Sequence, residues 1–320
     1  MSASPTARLK QLVPYAIAIA ALAWILHKTD LNAFAAALKQ APIALFVLFS
    51  LFMLLLNCAA DTYAMATVFS WFGCRVPYRE LFVVRASTYL VAIINYHVGQ
   101  AAIISYLFKV RKMAFLRSSG VILFIIGVNV GTIFLLASAG ALRVPPHLRV
   151  LKLIPPVCVV GCVLYAAVLT WRPQFLAERK LLGPLFEMGI AGHAKGVLVR
   201  LPHVACLLVW HFFSLRMFHI RVSPLDALLY LPMYFAVAAM PINVNGLGVA
   251  QQVAITFFAP FAEPPGAADP ATQRAMVLAY SLATVGISLL LQFVLGFACI
   301  RRATALGASV SSAKREKTTA

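Results

Sequence analysis

The sequence predicts an all-α polytopic membrane protein with about six full spans and two opposed re-entrant helical hairpins. Three observations carry this expectation. The chain of 320 residues is 62% hydrophobic and only 11% charged. Its apolar residues gather in stretches near or beyond the roughly 20 that a helix needs to cross a hydrocarbon core. Two further stretches are apolar at both ends and broken in the middle by polar, Gly- and Pro-containing segments. Non-helical backbone persists at membrane depth only where protein or a water-filled cavity satisfies its polar groups, so such breaks should line something.

Full crossings are expected at about residues 12–26, 42–70, 121–142, 153–171, 201–218 and 275–300. Arg8 and Lys10 precede the first run, which reads as a retained helix with a cytoplasmic N-terminus. Residues 31–38, L-N-A-F-A-A-A-L, form a short amphipathic segment suited to the membrane interface. The longest polar connection, 172–195, is too short for a domain, so residues 1–320 read as one membrane domain. Its last part, 301–320, reads as a basic, disordered cytoplasmic tail.

The two broken stretches are 89–110 and 225–258. In the first, Asn95 to Gln100 form the polar centre; in the second, the break runs from Pro241 to Gly248 and apolar residues resume at Val249. Each half of the second stretch is too short to span alone. Treating both as re-entrant hairpins sorts the charges. The clusters at Arg8/Lys10, Arg75/Arg79, Lys109/Arg111/Lys112/Arg117, Arg172/Arg179/Lys180/Lys195 and the C-terminal tail become cytoplasmic, and the acidic loop at Glu263 and Asp269 falls outside. Arg143, Arg149 and Lys152 remain as one basic loop on the outer side. Both termini are then cytoplasmic, and the protein is a multi-pass protein of the cell membrane. The two hairpins enter from opposite faces, the layout of an inverted-topology repeat that places a transporter site at the midplane. Two independently broken helices give the same pattern.

Lys and Arg outnumber Asp and Glu by 27 to 9, for a formal charge of +18. These residues flank apolar spans, where they set orientation and meet anionic headgroups, and no aromatic-interleaved basic stripe tracks nucleic acid. The expected partners are therefore membrane lipids, anionic or glycosylated, and not nucleic acid. The six cysteines lie mostly inside apolar runs and read as packing residues. His203, His211 and His219 recur every eight residues and drift about 80° per step around a helix, so they do not share a face. No metal cluster, cofactor loop or acid/base set is evident, and neither a metal, a cofactor nor an enzymatic activity is expected.

At the second break the chain reads M-P-I-N-V-N-G-L-G-V-A-Q, and at the first N-Y-H-V-G-Q. These resemble the Pro-x-x-x-Gly-Gly-Leu-Gly-Val-Arg-Glu and Pro-x-Arg-x-Gly-Glu motifs of the lysylphosphatidylglycerol synthase transmembrane region, a flippase-like membrane domain. Pro241, Gly246, Leu247, Gly248, Val249 and Gly99 match; Asn95, His97, Gln100, Ala250 and Gln251 stand where that family carries Pro, Arg, Glu, Arg and Glu. The resemblance implies a stand-alone membrane domain without the family's aminoacyl-transfer domain. It also implies that a substrate identical to the family's is not to be assumed.

Taken together, the breaks point to a lipid transporter that passes a phospholipid or lipid-linked glycan headgroup through a cleft between the hairpins. The half-helix N-termini would offer positive dipole ends to the headgroup. The candidate substrate-binding residues are Asn95, His97, Gly99 and Gln100 in the first hairpin. In the second they are Pro241, Asn243, Asn245, Gly246, Gly248 and Gln251. The alternative is a non-catalytic membrane subunit that docks a lipid-modifying enzyme or glycosyltransferase through the basic 172–195 connection. Asp61, with Asn57 one turn earlier, either pairs with Arg85 or is exposed at the interface. Asn129 and Gln292 read as interhelical hydrogen-bonding residues.

Overall fold

The computed structural model describes His27 and residues 30–93, 96–141, 146–238, 249–263 and 269–319, with side chains described for all of these but 146–148, 150 and 307–319. Eleven α-helices account for nearly all of them: α1 (Leu31–Gln40), α2 (Ile43–Trp71), α3 (Tyr78–Ala92), α4 (Tyr96–Lys109), α5 (Phe115–Ala141), α6 (Ile154–Trp171), α7 (Gln174–Ala177), α8 (Gly183–Met217), α9 (Pro224–Ala238), α10 (Val249–Phe258) and α11 (Pro270–Thr319). Among the described residues there is no strand, only an isolated bridge between Ile220 and Ala262. Five helical segments are long and apolar enough to cross a membrane: Ile43–Trp71, Phe115–Ala141, Leu151–Trp171, Gly183–Met217 and Pro270–Leu306. They coincide with five of the expected crossings, and the protein is an all-α polytopic membrane protein. The expected crossing at 12–26 lies outside the described residues.

Local sequence sets where several helices begin. Asp30 caps α1 by accepting from the main-chain N–H groups of Asn32 (2.8 Å) and Ala33 (3.1 Å). Ser223 and Asp226 form a reciprocal cap at α9, with Pro224 at the first helical position. Asp269 caps α11 in the same manner, accepting from Ala271 N–H at 2.8 Å ahead of Pro270-led helix. Hydrogen bonds from Thr272 hold the exposed Asp269 carboxyl below the usual range.

The chain divides into two compact units. The first comprises Met1–Phe52, Ile133–Pro155 and Leu207–Ser288; the second comprises Met53–Thr132, Pro156–Cys206 and Leu289–Ala320. In the first unit, Phe46, Ala137, Phe218, Leu231, Phe258 and Tyr280 form the centre of a core. Lipid is as apolar as these side chains, so close packing, not burial from water, must hold such helices together. Gly140 illustrates this: a Cβ there would run into the main-chain carbonyl of Leu229, so the glycine lets α5 meet α9 backbone to backbone. In the second unit, Phe69, Leu81, Ile103, Leu107, Val121 and Phe124 pack α3 and α4 against α2 and α5.

Three helices run further than the apolar pattern implies. The first arm of the first hairpin begins at Tyr78, not near Tyr89, and its second arm begins at Tyr96. Helix α8 begins at Gly183, well before the expected crossing at 201–218. It bends at Gly189, whose φ of 56° and ψ of −170° leave the helical region. His193 meets the Gly189 carbonyl through Nδ1 at 2.6 Å and the Tyr165 hydroxyl through Nε2 at 2.8 Å. A carbonyl only accepts, so Nδ1 carries the proton and Nε2 accepts from Tyr165. Helix α11 continues past Arg301 and Arg302 to Thr319.

Candidate functional site

Of the ten expected headgroup residues, four are described: His97, Gly99, Gln100 and Gln251. Asn95, Pro241, Asn243, Asn245, Gly246 and Gly248 lie outside the described residues. The three from the first hairpin occupy the first turns of α4 and not a loop. His97 is exposed; Gly99 and Gln100 are buried. An added Cβ on Gly99 would stand 2.9 Å from the Ala92 Cβ, so Gly99 sets how closely the two arms of the hairpin approach. Gln100 bonds to the hydroxyl of Tyr96 one turn earlier. At its far end the same hairpin is tied by Glu80, which accepts from the Tyr106 hydroxyl and from Arg111. Burial works against the Arg111 charge, but Tyr106 and Glu80 outweigh it and hold its pKa above the ordinary value.

The most buried ion pairs among the described residues lie beside this hairpin, in the second unit. Asp61 on α2 is 3% exposed and accepts from two guanidinium groups. Arg85 Nε on α3 donates to Oδ2 at 2.5 Å, and Arg200 Nη1 on α8 donates to Oδ1. Arg85 also donates to Thr88 Oγ1 at 3.2 Å and lies 5.0 Å over the Tyr89 ring. The side chains of Arg85 and Arg200 are only 12% and 8% exposed. His203, one turn beyond Arg200, bonds to the Asn57 main chain and lies within reach of all three charges. Asp61 stands four residues past the middle of α2, about 6 Å along its axis. An ionic cluster at that depth is costly unless it serves a purpose.

The expectation that Asp61 pairs with Arg85 holds, and interfacial exposure does not. Sequence reasoning missed Arg200, because it lies one residue before the expected crossing and resembles a flanking charge. Its setting, V-L-V-R-L-P-H, carried the signal: a lone Arg between apolar residues, followed by a helix-breaking proline.

In the first unit, Gln251 is fully buried in α10, and its Nε2 lies 3.4 Å from Ser281 Oγ on α11. Ser281 also bonds to the buried Tyr234 hydroxyl, and the Tyr280 hydroxyl lies 2.6 Å from His211 Nδ1. This is a polar layer of neutral side chains set among Phe235, Phe218 and Phe258.

The six cysteines are free thiols. Among the described residues, no group of His, Cys, Asp or Glu is arranged to hold a metal ion. No family model matches the chain, and no curated protein matches it.

Proposed function

We propose that this membrane protein is a lipid transporter of the flippase-like kind, moving a phospholipid or lipid-linked glycan between leaflets. Its polar headgroup would pass along the broken helices while the acyl chains stay in lipid. The observation that carries the reading is the Asp61–Arg85–Arg200 cluster, held between the long apolar helices α2 and α8 and the hairpin arm α3, beside the first break. Charged groups at this depth mark substrate or ion pathways far more often than they serve packing. The likeness of both breaks to the lysylphosphatidylglycerol synthase transmembrane region supports the same reading.

The test is reconstitution of the purified protein in liposomes carrying a fluorescent lipid, with chemical quenching from outside. Quenching beyond the outer-leaflet fraction is expected for an anionic or glycosylated lipid. Absence of exchange for every such lipid, in vesicles where a known scramblase works, sinks the transporter. The reading then left is a non-catalytic subunit docking a lipid-modifying enzyme or glycosyltransferase. Helix α6 favours it to this extent: Val157, Val160, Val163 and Leu164 are all more than half exposed, as on a surface that meets lipid or another membrane helix.

A further inference from the structure

We infer that the Asp61–Arg85–Arg200 cluster is a binding site for the phosphate of a phospholipid headgroup; the inference rests on the lipid-transport reading and names its ligand. Charge is the first argument. One carboxylate faces two guanidinium groups, so the cluster carries a surplus positive charge in a low-dielectric setting. Arginine does not shed its proton, so the surplus must be met by an anion from elsewhere.

Unused hydrogen-bonding capacity is the second argument. Among the described residues, Arg200 engages only one of its five N–H groups, and Arg85 engages two. A cluster built only to hold helices together would spend these donors on carbonyls or carboxylates. The planar fork of a guanidinium matches two phosphate oxygens at once, which an ammonium cannot do. The third argument is independent of charge. Asn57 Oδ1 and His203 Nδ1 are buried and have no hydrogen-bond partner among the described residues. His203, one turn from Arg200, interacts electrostatically with both guanidinium groups and bonds to the main chain of Asn57, itself one turn from Asp61. With its other nitrogen bonded to the Asn57 carbonyl, the imidazole of His203 in its neutral form accepts at Nδ1, as Asn57 does at Oδ1. These atoms want a donor, and a hydroxyl or amine on the same headgroup supplies one next to the phosphate. Phosphate plus donor is the chemistry of a glycerophospholipid headgroup, and it is more than a bare anion offers.

The test uses the full chain in neutral detergent. Retention of phosphatidylglycerol by native mass spectrometry is compared with diacylglycerol of the same acyl composition and with inorganic phosphate. Saturable binding of phosphatidylglycerol over diacylglycerol is expected. Arg200→Met should weaken it by about ten- to a hundredfold, the worth of one or two charge-assisted hydrogen bonds. That variant leaves Asp61 and Arg85 as a neutral pair, so its lipid-free melting temperature should equal or exceed that of the unmodified protein. Asp61→Asn should do the reverse, binding phosphatidylglycerol more tightly because it removes the competing carboxylate.

Phosphatidylglycerol binding unchanged in both variants overturns the site. So does Arg200-dependent binding of inorganic phosphate with none of phosphatidylglycerol, which would leave a free-phosphate site. The two readings fail separately. Arg200-dependent binding without leaflet exchange dismisses the transporter and keeps the site, whereas exchange that Arg200→Met leaves untouched does the opposite.

Discussion

Tyr280 is fully buried, yet it keeps a hydroxyl where a phenylalanine would pack as well. The reason is His211, whose Nδ1 it meets at 2.6 Å, within a shell made by Tyr234, Phe235 and Trp210. An imidazole nitrogen so enclosed has no water to turn to, and leaving it unpaired costs about 1–3 kcal/mol. Tyr280→Phe should therefore reduce stability by about 1–3 kcal/mol and lower the melting temperature accordingly, although it removes a single oxygen. Tyr280→Phe combined with His211→Phe should recover part of the loss, because both polar partners are then gone. Thermal unfolding in detergent measures both. If the single variant melts with the unmodified protein, the Tyr280–His211 bond contributes nothing to stability. The same logic sets this layer apart from the Arg85–Asp61–Arg200 cluster. There, polar groups are in surplus and unpaired; here, each named partner has found another.

At the scale of elements, the first hairpin depends on how close α3 and α4 come. Gly99 stands against Ala92, where an added methyl would be 2.9 Å from the Ala92 Cβ. Neither atom is the end of a flexible side chain, so the arms themselves must separate. Gly99→Ala should destabilise the hairpin by about 1–3 kcal/mol, the usual cost of overpacking. Hydrogen exchange across 96–109 should accelerate, while α5 is unaffected. Gly99→Ala paired with Ala92→Gly restores the missing space and should restore protection. An unchanged exchange pattern in Gly99→Ala shows that the arms have room to spare. The five described spans were legible in the sequence, because apolar run length maps directly onto bilayer thickness. The reach of α8 was not. Its first part, G-P-L-F-E-M-G-I-A-G-H-A-K-G, is too polar and too rich in glycine to read as membrane helix. Yet it is helical and runs on into the apolar part of α8, with a bend at Gly189 whose carbonyl His193 engages. Missing that extension is what hid Arg200. The pairing of Asp61 with Arg85 was within reach of the sequence because both sit on apolar arms. The third partner, 139 positions from Asp61, could be joined to it only by tertiary packing.

For the whole molecule, membrane sidedness follows from counting crossings and weighing charge. Between Lys109 at the end of α4 and Arg172 just after α6 lie two segments able to span, Phe115–Ala141 and Leu151–Trp171. An even number of crossings returns the chain to the face it left, so Lys109 and Arg172 must share a side. Each anchors a basic cluster, Lys109 with Arg111, Lys112 and Arg117, and Arg172 with Arg179 and Lys180. The positive-inside rule keeps short loops rich in Lys and Arg in the cytoplasm, so the prediction is that both positions lie on that face. Single cysteines introduced as Lys109→Cys and Arg172→Cys, in a chain whose six native cysteines are replaced, make this measurable. A membrane-impermeant maleimide should label neither in intact cells and both after lysis. Labelling of one but not the other in intact cells means that α5 or α6 fails to cross, and the assignment of five spans falls with it. Labelling of both in intact cells keeps the spans and reverses the molecule, so that its excess of 18 positive charges no longer follows the positive-inside rule.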